Sequence, residues 1–302
     1  MLRKKYIGIP STLVLLCCLL LAGCNRKDAT WNRGAYYWRT AYQLTPGQKS
    51  YIDSTHTDRL YIKFFDVDVV DNEPVPIATT RFLEDCPGDV EIVPTVYIVN
   101  QVLRRSVDNP DFEPGKPDVL AGRIVTRVLN MVSYNEIPNV REVQLDCDWT
   151  LFTEPAFFDL CREARRVLRE KDIKLSVTLR LWQLNCEAPP VDRVMLMLYN
   201  TGDFSSVNTK NSILDIDDVR PYFKDRVRYS LPVDIALPRF EWTLCYNPDG
   251  SFNCILKNDE PPQGCIVRHE SVTPQQIAEV LNLVELQLKT PNRHPKKTYF
   301  SL

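Results

Sequence analysis

Apolar residues in this chain gather into runs separated by stretches of helical periodicity. Seven runs rich in Val, Ile, Leu, Tyr and Phe predict strands buried on both faces. They are Ala35 to Tyr42, Arg59 to Val70, Val90 to Asn100, Val140 to Trp149, Lys174 to Leu184, Val191 to Asn200 and Val233 to Tyr246. Helices are predicted between several of them. Asp118 to Ser133 aligns Leu120, Ile124, Val128 and Met131, and Glu154 to Glu170 aligns Phe157, Leu160, Cys161, Ala164, Val167 and Leu168. The opposite face of the second carries Arg162, Arg165, Arg166 and Arg169, as a solvated face should. A last helix opens Thr273-Pro274-Gln275-Gln276, with Thr to cap, Pro pre-set for the first turn and Gln to close a capping box. Strand and helix in alternation mean a parallel sheet. Seven or eight such units in a chain of this length predict a closed (β/α)8 barrel. Tyr246-Asn247-Pro248-Asp249-Gly250-Ser251 reads as a turn, so an irregular hairpin is expected near the C-terminal end. The eighth strand is then expected near Cys265 to Arg268.

The N-terminus changes the picture. Arg3, Lys4 and Lys5 precede an uncharged apolar run from Leu13 to Ala22, and Leu21-Ala22-Gly23-Cys24 follows. A basic start, a short apolar stretch and small residues before a cut site make a secretory signal. The run is shorter than the roughly 20 residues a membrane span needs. Leu-Ala-Gly-Cys resembles the bacterial lipobox, which implies cleavage before Cys24 and lipidation of that residue. The expected organisation is a signal peptide over 1–23, a lipid-anchored tether over 24–34, one barrel domain over 35–290 and a tail over 291–302. Asn25 is not the Asp that holds enteric lipoproteins at the inner membrane. Arg26 and Lys27 are unlike the acidic surface-export signals of Bacteroidota. The expected location is the outer membrane, facing the periplasm.

Composition mostly excludes. A net charge of −2 with scattered basic residues argues against a nucleic-acid partner. With 10 Gly in the chain, there is no GxGxxG after a strand and no phosphate-binding GxxxxGK[ST] loop. GxSxG and HExxH are missing too. No CxxC occurs and His56, His269 and His294 lie far apart, so neither a zinc site nor any other metal or cofactor is expected. Seven Cys follow Cys24, an odd number that leaves at least one thiol unpaired in an exported protein. Cys147 and Cys161 sit in apolar patterns and read as buried thiols. Cys186, Cys254 and Cys265 lie in turn-rich stretches, where a disulfide is the more natural reading.

In a barrel of this kind, function sits at the C-terminal ends of the strands. Those ends are rich in acids and tryptophans. Two-residue periodicity puts Gln144, Asp146, Asp148 and Thr150 on one face of the fourth strand, with Val143, Leu145, Cys147 and Trp149 on the other. The apolar set should face the helices and the acids the barrel mouth. Two carboxylates this close repel, and one should hold its proton more tightly than in water. Asp66 and Asp68 likewise share a face of the second strand. Acids in such places also bind loop amides or pair with cations, here Arg39, Arg180 or Arg239. Two acid pairs at one end, with Trp38, Trp149, Trp182 and Trp242 nearby, favour a ligand site. Trp149 has the opposite parity and should pack against helices, while Trp182 shares parity with Arg180.

Leu145-Asp146-Cys147-Asp148-Trp149 resembles the fourth-strand signature of family 18 glycoside hydrolases, Asp-x-x-Asp-x-Asp-x-Glu. Met197-Leu198-Tyr199-Asn200 is similar to their sixth-strand Met-x-Tyr-Asp. The resemblance implies a barrel that handles carbohydrate of an N-acetylated kind. It gives Asp146 and Asp148 the places of the last two Asp, and Tyr199 that of the Tyr contacting the substrate acetamido group. Thr150 stands where the family has its proton-donor Glu, and Val143 where it has the first Asp. The family's Ser-x-Gly-Gly is replaced by Pro94-Thr95-Val96-Tyr97. Tyr36-Tyr37-Trp38-Arg39-Thr40 and Asp234-Ile235-Ala236-Leu237-Pro238 are similar to barrel lipoproteins of gut Bacteroidota, which implies no activity.

Three readings stay open. A hydrolase with a relocated acid needs two carboxyls roughly 5 to 9.5 Å apart, for which Asp148 with Glu241 or Asp66 are the candidates, beside Asp146. A non-catalytic glycan binder would use Asp66, Asp68, Trp38, Arg39, Arg180, Trp182, Tyr199, Asn200 and Trp242. A structural or assembly lipoprotein would need none of them. The partners expected are a carbohydrate ligand and, through Cys24, a membrane; the oligomeric state is open.

Overall fold

The computed structural model describes residues 33–108, 115–256, 260–291 and 296–300. The proposed signal peptide and Cys24 lie outside them. Eight parallel strands form the barrel: β1 (Arg33–Tyr37), β2 (Thr57–Val70), β3 (Glu91–Ile98), β4 (Glu142–Asp146), β5 (Lys174–Leu179), β6 (Arg193–Met197), β7 (Val233–Pro238) and β8 (Lys297–Phe300). Each pairs with the next, β7 with β8 and β8 with β1, and β1 with β2 closes the ring. The expected (β/α)8 barrel is therefore the fold. Five helices of two turns or more flank it: α1 (Pro46–Ser54), α2 (Asn100–Asp108), α3 (Pro117–Tyr134), α4 (Glu154–Arg169) and α5 (Pro274–Gln287).

Alternation along each strand sorts side chains in two directions. Val143 and Leu145 of β4 face the helices, in the large apolar cluster that also holds Trp149, Phe157 and Leu160. Trp149 is fully buried against Phe157 and Phe158, as its parity required. The inward set makes a separate cluster of Tyr36, Tyr61, Val93, Met195, Met197, Tyr199 and Ala236. Tyr36 and Tyr61 stack with ring centres 4.6 Å apart, and the Tyr36 hydroxyl donates to Gln144 Oε1 at 2.6 Å. Below this layer the lumen is ionic. Arg59 reaches Glu91 at 2.7 Å and Glu142 at 3.1 Å, and Arg193 reaches Asp234 at 2.9 Å. Glu142 is 1% exposed, and burial pushes its carboxyl up against the pull of Arg59 and Arg193.

The α5 capping box forms as expected, Thr273 with Gln276, and α3 and α4 match their predicted ranges to within a residue or so. Three expectations change. The first run breaks after Tyr37, and Ala41–Tyr42 instead pairs with Arg81–Phe82. The long β2 is followed not by a helix but by an antiparallel strand, Glu73–Ile77. Asp71 and Asn72, at φ 50 and 70, make the two-residue turn, a left-handed conformation that short polar side chains tolerate. Between this hairpin and α3 runs an apolar groove of about 830 Å³ lined by Phe65, Val67, Pro74, Pro76 and Met131. Finally, the eighth strand is not near Cys265 to Arg268. Ile266–Glu270 joins the expected hairpin strands, Trp242–Tyr246 and Phe252–Leu256, in a separate antiparallel sheet. The barrel closes through Lys297–Phe300, inside the stretch expected to be a tail.

The seam between β1 and β8 depends on Gly34. A Cβ there would sit 2.6 Å from Thr298 Oγ1, 3.0 Å from its Cγ2 and 3.3 Å from its Cβ, so turning the threonine brings no relief. Gly34→Ala is expected to lower stability by about 1–3 kcal/mol through overpacking, read as the shift in the urea unfolding midpoint. An unchanged midpoint would mean the seam yields freely.

Candidate functional site

The C-terminal ends of the strands open into a cavity of about 520 Å³. Its floor is the tyrosine layer, and its acids come from β4 and β2. Asp146 is the last residue of β4 and points inward, the third in the series Glu142, Gln144, Asp146. Thr178, the inward residue on the neighbouring β5, donates to Asp146 Oδ1 at 2.6 Å. Burial pushes Asp146 up to about 6; the Thr178 bond opposes this and the Asp148 charge adds to it. The rise comes first from burial rather than from the repulsion expected between the two acids.

Asp148 has a different environment. Arg180, just past β5, holds it in a two-pronged ion pair, Nε to Oδ1 at 2.6 Å and Nη2 to Oδ2 at 3.0 Å. Such a fork fixes a carboxylate far better than a single contact. The same guanidinium lies 6.0 Å over the Tyr199 ring. Burial and then Asp146 push the Tyr199 hydroxyl well above the usual phenol range, so it stays a proton-bearing donor. Next to it Asn200, at φ 52, turns the chain outward after β6. Across the mouth, Lys63 pairs with Asp66 at 3.0 Å and lies 6.0 Å over the Trp38 ring. Trp38 meets Tyr36 edge-on at 6.2 Å. Arg39 and Tyr97 complete that side.

The remaining wall is aromatic. Phe240 meets Tyr199 at 6.1 Å and Trp242 at 5.5 Å, both edge to face. Trp242 belongs to the antiparallel sheet that follows β7. Its indole Nε1 donates to Glu270 Oε2 at 2.7 Å, and the buried Glu270 also accepts from Ser212 and pairs with Arg268. A second cavity of about 440 Å³ shares Arg180, Tyr199, Asn200 and Trp242 with the first. Trp182 lines this neighbour rather than the main cavity.

The structure thus brings together Asp66, Asp146, Asp148, Trp38, Arg39, Arg180, Tyr199, Asn200 and Trp242. Besides Trp182, two candidates stand elsewhere. Asp68 lies where β2 has left the barrel to pair with Glu73–Ile77, and it accepts from the Val69 amide at 2.7 Å. Glu241 has a 69% exposed side chain 3.7 Å from His269 and does not line either cavity. Thr150 is exposed and turned into the start of α4, where its carbonyl accepts from Glu154. Sequence reasoning missed Lys63, Tyr97, Thr178 and Phe240. Thr178 had a usable signal, because it shares parity with Arg180 two residues on. Among the described residues, no group of three His, Cys, Asp or Glu is arranged to hold a metal ion.

Asp146 gives a pH signature. Its folded pKa is raised, so between the unfolded value of about 4 and the folded value of about 6 the native state binds a proton the unfolded chain has lost. Stability from this group therefore falls as pH rises through that window. Asp146→Asn, which keeps an acceptor for Thr178, should flatten the window and be more stable than the parent at pH 7 by about 2 kcal/mol. Thermal unfolding of both proteins from pH 4 to 8 tests it; parallel curves would mean Asp146 ionises as in water.

No protein-family profile and no curated protein matches the sequence. Solved structures do resemble it. The spore cortex-lytic enzyme SleL of Bacillus megaterium QM B1551 superposes with a TM-score of 0.55 and 12% identity, over 89% of this chain and 70% of that one. SleL of Bacillus cereus gives 0.54 and 11%, over 90% and 70%. A chitinase of Chromobacterium violaceum ATCC 12472 gives 0.51 and 11%, over 89% and 93%. At such identities the likeness speaks for the fold: the chain carries a chitinase-like (β/α)8 barrel, the fold that its Asp146–Trp149 and Met197–Asn200 stretches implied.

Proposed function

We propose that this is a lipid-anchored carbohydrate-binding protein, built on a glycosidase-like barrel that grips a glycan without cutting it. The observation that carries the reading is the state of the mouth carboxylates. Asp148 is held in a fork by Arg180, Asp66 is paired with Lys63, and the position of the usual donor is an exposed Thr150 that faces α4. A glycosidase of this geometry needs a carboxylic acid beside the leaving oxygen, and a threonine hydroxyl is far too weak an acid to serve. What remains suits binding: charged groups fixed for sugar hydroxyls, an amide from Asn200, and the indoles of Trp38 and Trp242 as apolar platforms with polar edges. The resemblance of Asp146, Asp148 and Tyr199 to a chitinase site favours an N-acetylated sugar. Lipidation at Cys24 would anchor the chain, at the outer membrane facing the periplasm.

One observation favours turnover instead. An acid whose pKa lies near 6 keeps part of its proton near neutral pH, and Asp146 is such a group. The two readings separate cleanly. Detergent-purified protein is mixed with N-acetylglucosamine oligosaccharides, affinity is read by calorimetry and products by mass spectrometry. Binding without shorter products is expected, with Trp242→Ala and Asp148→Asn each weakening affinity about tenfold or more. Shorter products made by the parent but not by Asp146→Asn would replace the binding reading with a hydrolase. The anchor has its own test. Palmitate label should appear in the parent and vanish in Cys24→Ala, with the variant moving from the membrane to the soluble fraction; a variant still sedimenting with membranes would remove the lipid from the account.

A further inference from the structure

Three thiols meet on the sheet that carries Trp242. Cys245 lies in its central strand, Trp242–Tyr246, and is directly opposed to Cys254 in the antiparallel register. On the other side Cys245 is opposed to Val267, two residues beyond Cys265, so Cys265 falls on the same face at the diagonal position. The thiols sense one another. Burial pushes the Cys245 thiol up, and the charge and hydrogen bond of Cys254 and the charge of Cys265 add to it. Asn253 reaches the Cys265 sulfur at 3.9 Å. All three are free thiols, Cys245 buried and the other two partly exposed.

Opposed residues of an antiparallel pair have Cα atoms about 4.5–5.5 Å apart, inside the roughly 4.4–6.8 Å that a disulfide spans. We propose that Cys245 and Cys254 form a disulfide that staples this sheet, made by exchange with a protein or small-molecule disulfide in the compartment to which the chain is exported. The proposal rests on the export reading given above for its setting, and on register and contact for its pairing. The partly exposed Cys254 reacts first. Its thiolate attacks the oxidant's disulfide, forming a mixed disulfide and releasing one thiol. The Cys245 thiolate then attacks the Cys254 sulfur and displaces the second thiol. Two protons and two electrons leave the pair, and the oxidant is reduced to two thiols. Cys147 and Cys161 make a useful contrast. They also neighbour each other, but both are fully buried, and burial pushes both thiols up. No oxidant can reach them in the folded state, so they stay reduced.

The staple has a consequence for the site. Trp242 begins the strand that Cys245 continues, and Glu270, which holds the indole, ends the third strand. Cross-linking the first hairpin holds the central strand, and with it the wall shared by both cavities.

The test uses the full chain in two arms. In the first it is produced with its leader, and membranes are alkylated at once with iodoacetamide and mapped by mass spectrometry without reduction. In the second the reduced, detergent-purified chain is equilibrated with oxidised and reduced glutathione before the same mapping. A Cys245–Cys254 bridge in both arms is expected, with Cys147 and Cys161 alkylated only after denaturation. Cys265→Ser should keep the bridge and Cys254→Ser should lose it. Amide exchange across 243–256 should slow about tenfold or more on oxidation, because the cross-link limits opening of the hairpin. A bridge in the glutathione arm alone supports the pairing and overturns the export reading. Both thiols alkylated in the glutathione arm, or a bridge that uses Cys265 instead, overturns the pairing.

Discussion

The whole arrangement depends on filling the lumen of an eight-stranded barrel. Eight strands enclose a space just wide enough for inward side chains to occupy, and here they do so in three levels. The lowest is charged: Arg59 and Arg193 pair with Glu91, Glu142 and Asp234, around a Glu142 that is almost fully buried. The middle is Tyr36 on Tyr61, tied to Gln144. Only on that floor can Asp146 stand desolvated yet hydrogen-bonded, with the raised pKa that follows. A buried ion cluster is a poor source of stability relative to apolar packing, but loss of one member strands the rest. Its effect here is geometric, since it sets the height at which the tyrosines and then the carboxylates stop.

The upper level gathers a desolvated acid, an ion pair and a phenol in one place. Asp146, Asp148 and Tyr199 line one cavity, and within it Asp148 faces a guanidinium. Arg180 both neutralises Asp148 and lies over the Tyr199 ring, so one residue orders two. A two-pronged ion pair in this position leaves a rigid polar surface. Rigidity favours recognition, because little side-chain freedom is left for a ligand to freeze.

How much of this was legible in the sequence follows from the range of the physics involved. The helices α3, α4 and α5 were legible because periodicity and caps are local. The inward parity of Asp146 was legible because β4 alternates without interruption through Glu142, Gln144 and Asp146. Glu241 and Asp68 lie outside the cavity for different reasons: Glu241 follows the end of β7, while Asp68 pairs with Val75 of the added antiparallel strand, past the last β3 partner of its own strand. The β8 strand was invisible since Lys297-Thr298-Tyr299 is short and polar, and its strand character comes from lying between β1 and β7. The ionic floor was hidden for a similar reason. Arg59, Glu142 and Asp234 look like surface charges until the closed ring brings groups as far apart in sequence as Arg59 and Glu142 together across the lumen. Cys245 read as one more apolar residue in a strand, and only the register of the neighbouring hairpin strand gives it a partner.

The seam between β1 and β8 bears on how the molecule comes to be. It joins Arg33–Ala35 to Lys297–Tyr299, contacts separated by nearly the whole barrel sequence. Pairings so remote form late and slowly, because the entropy of closing the loop is lost before the contact repays it. Until β8 is in place, β1 and β7 each present an open edge, ready to pair with another chain. For the export proposed above such a design is an advantage: while the polypeptide is still being threaded, the ring has no last stave, and nothing compact exists to jam the passage.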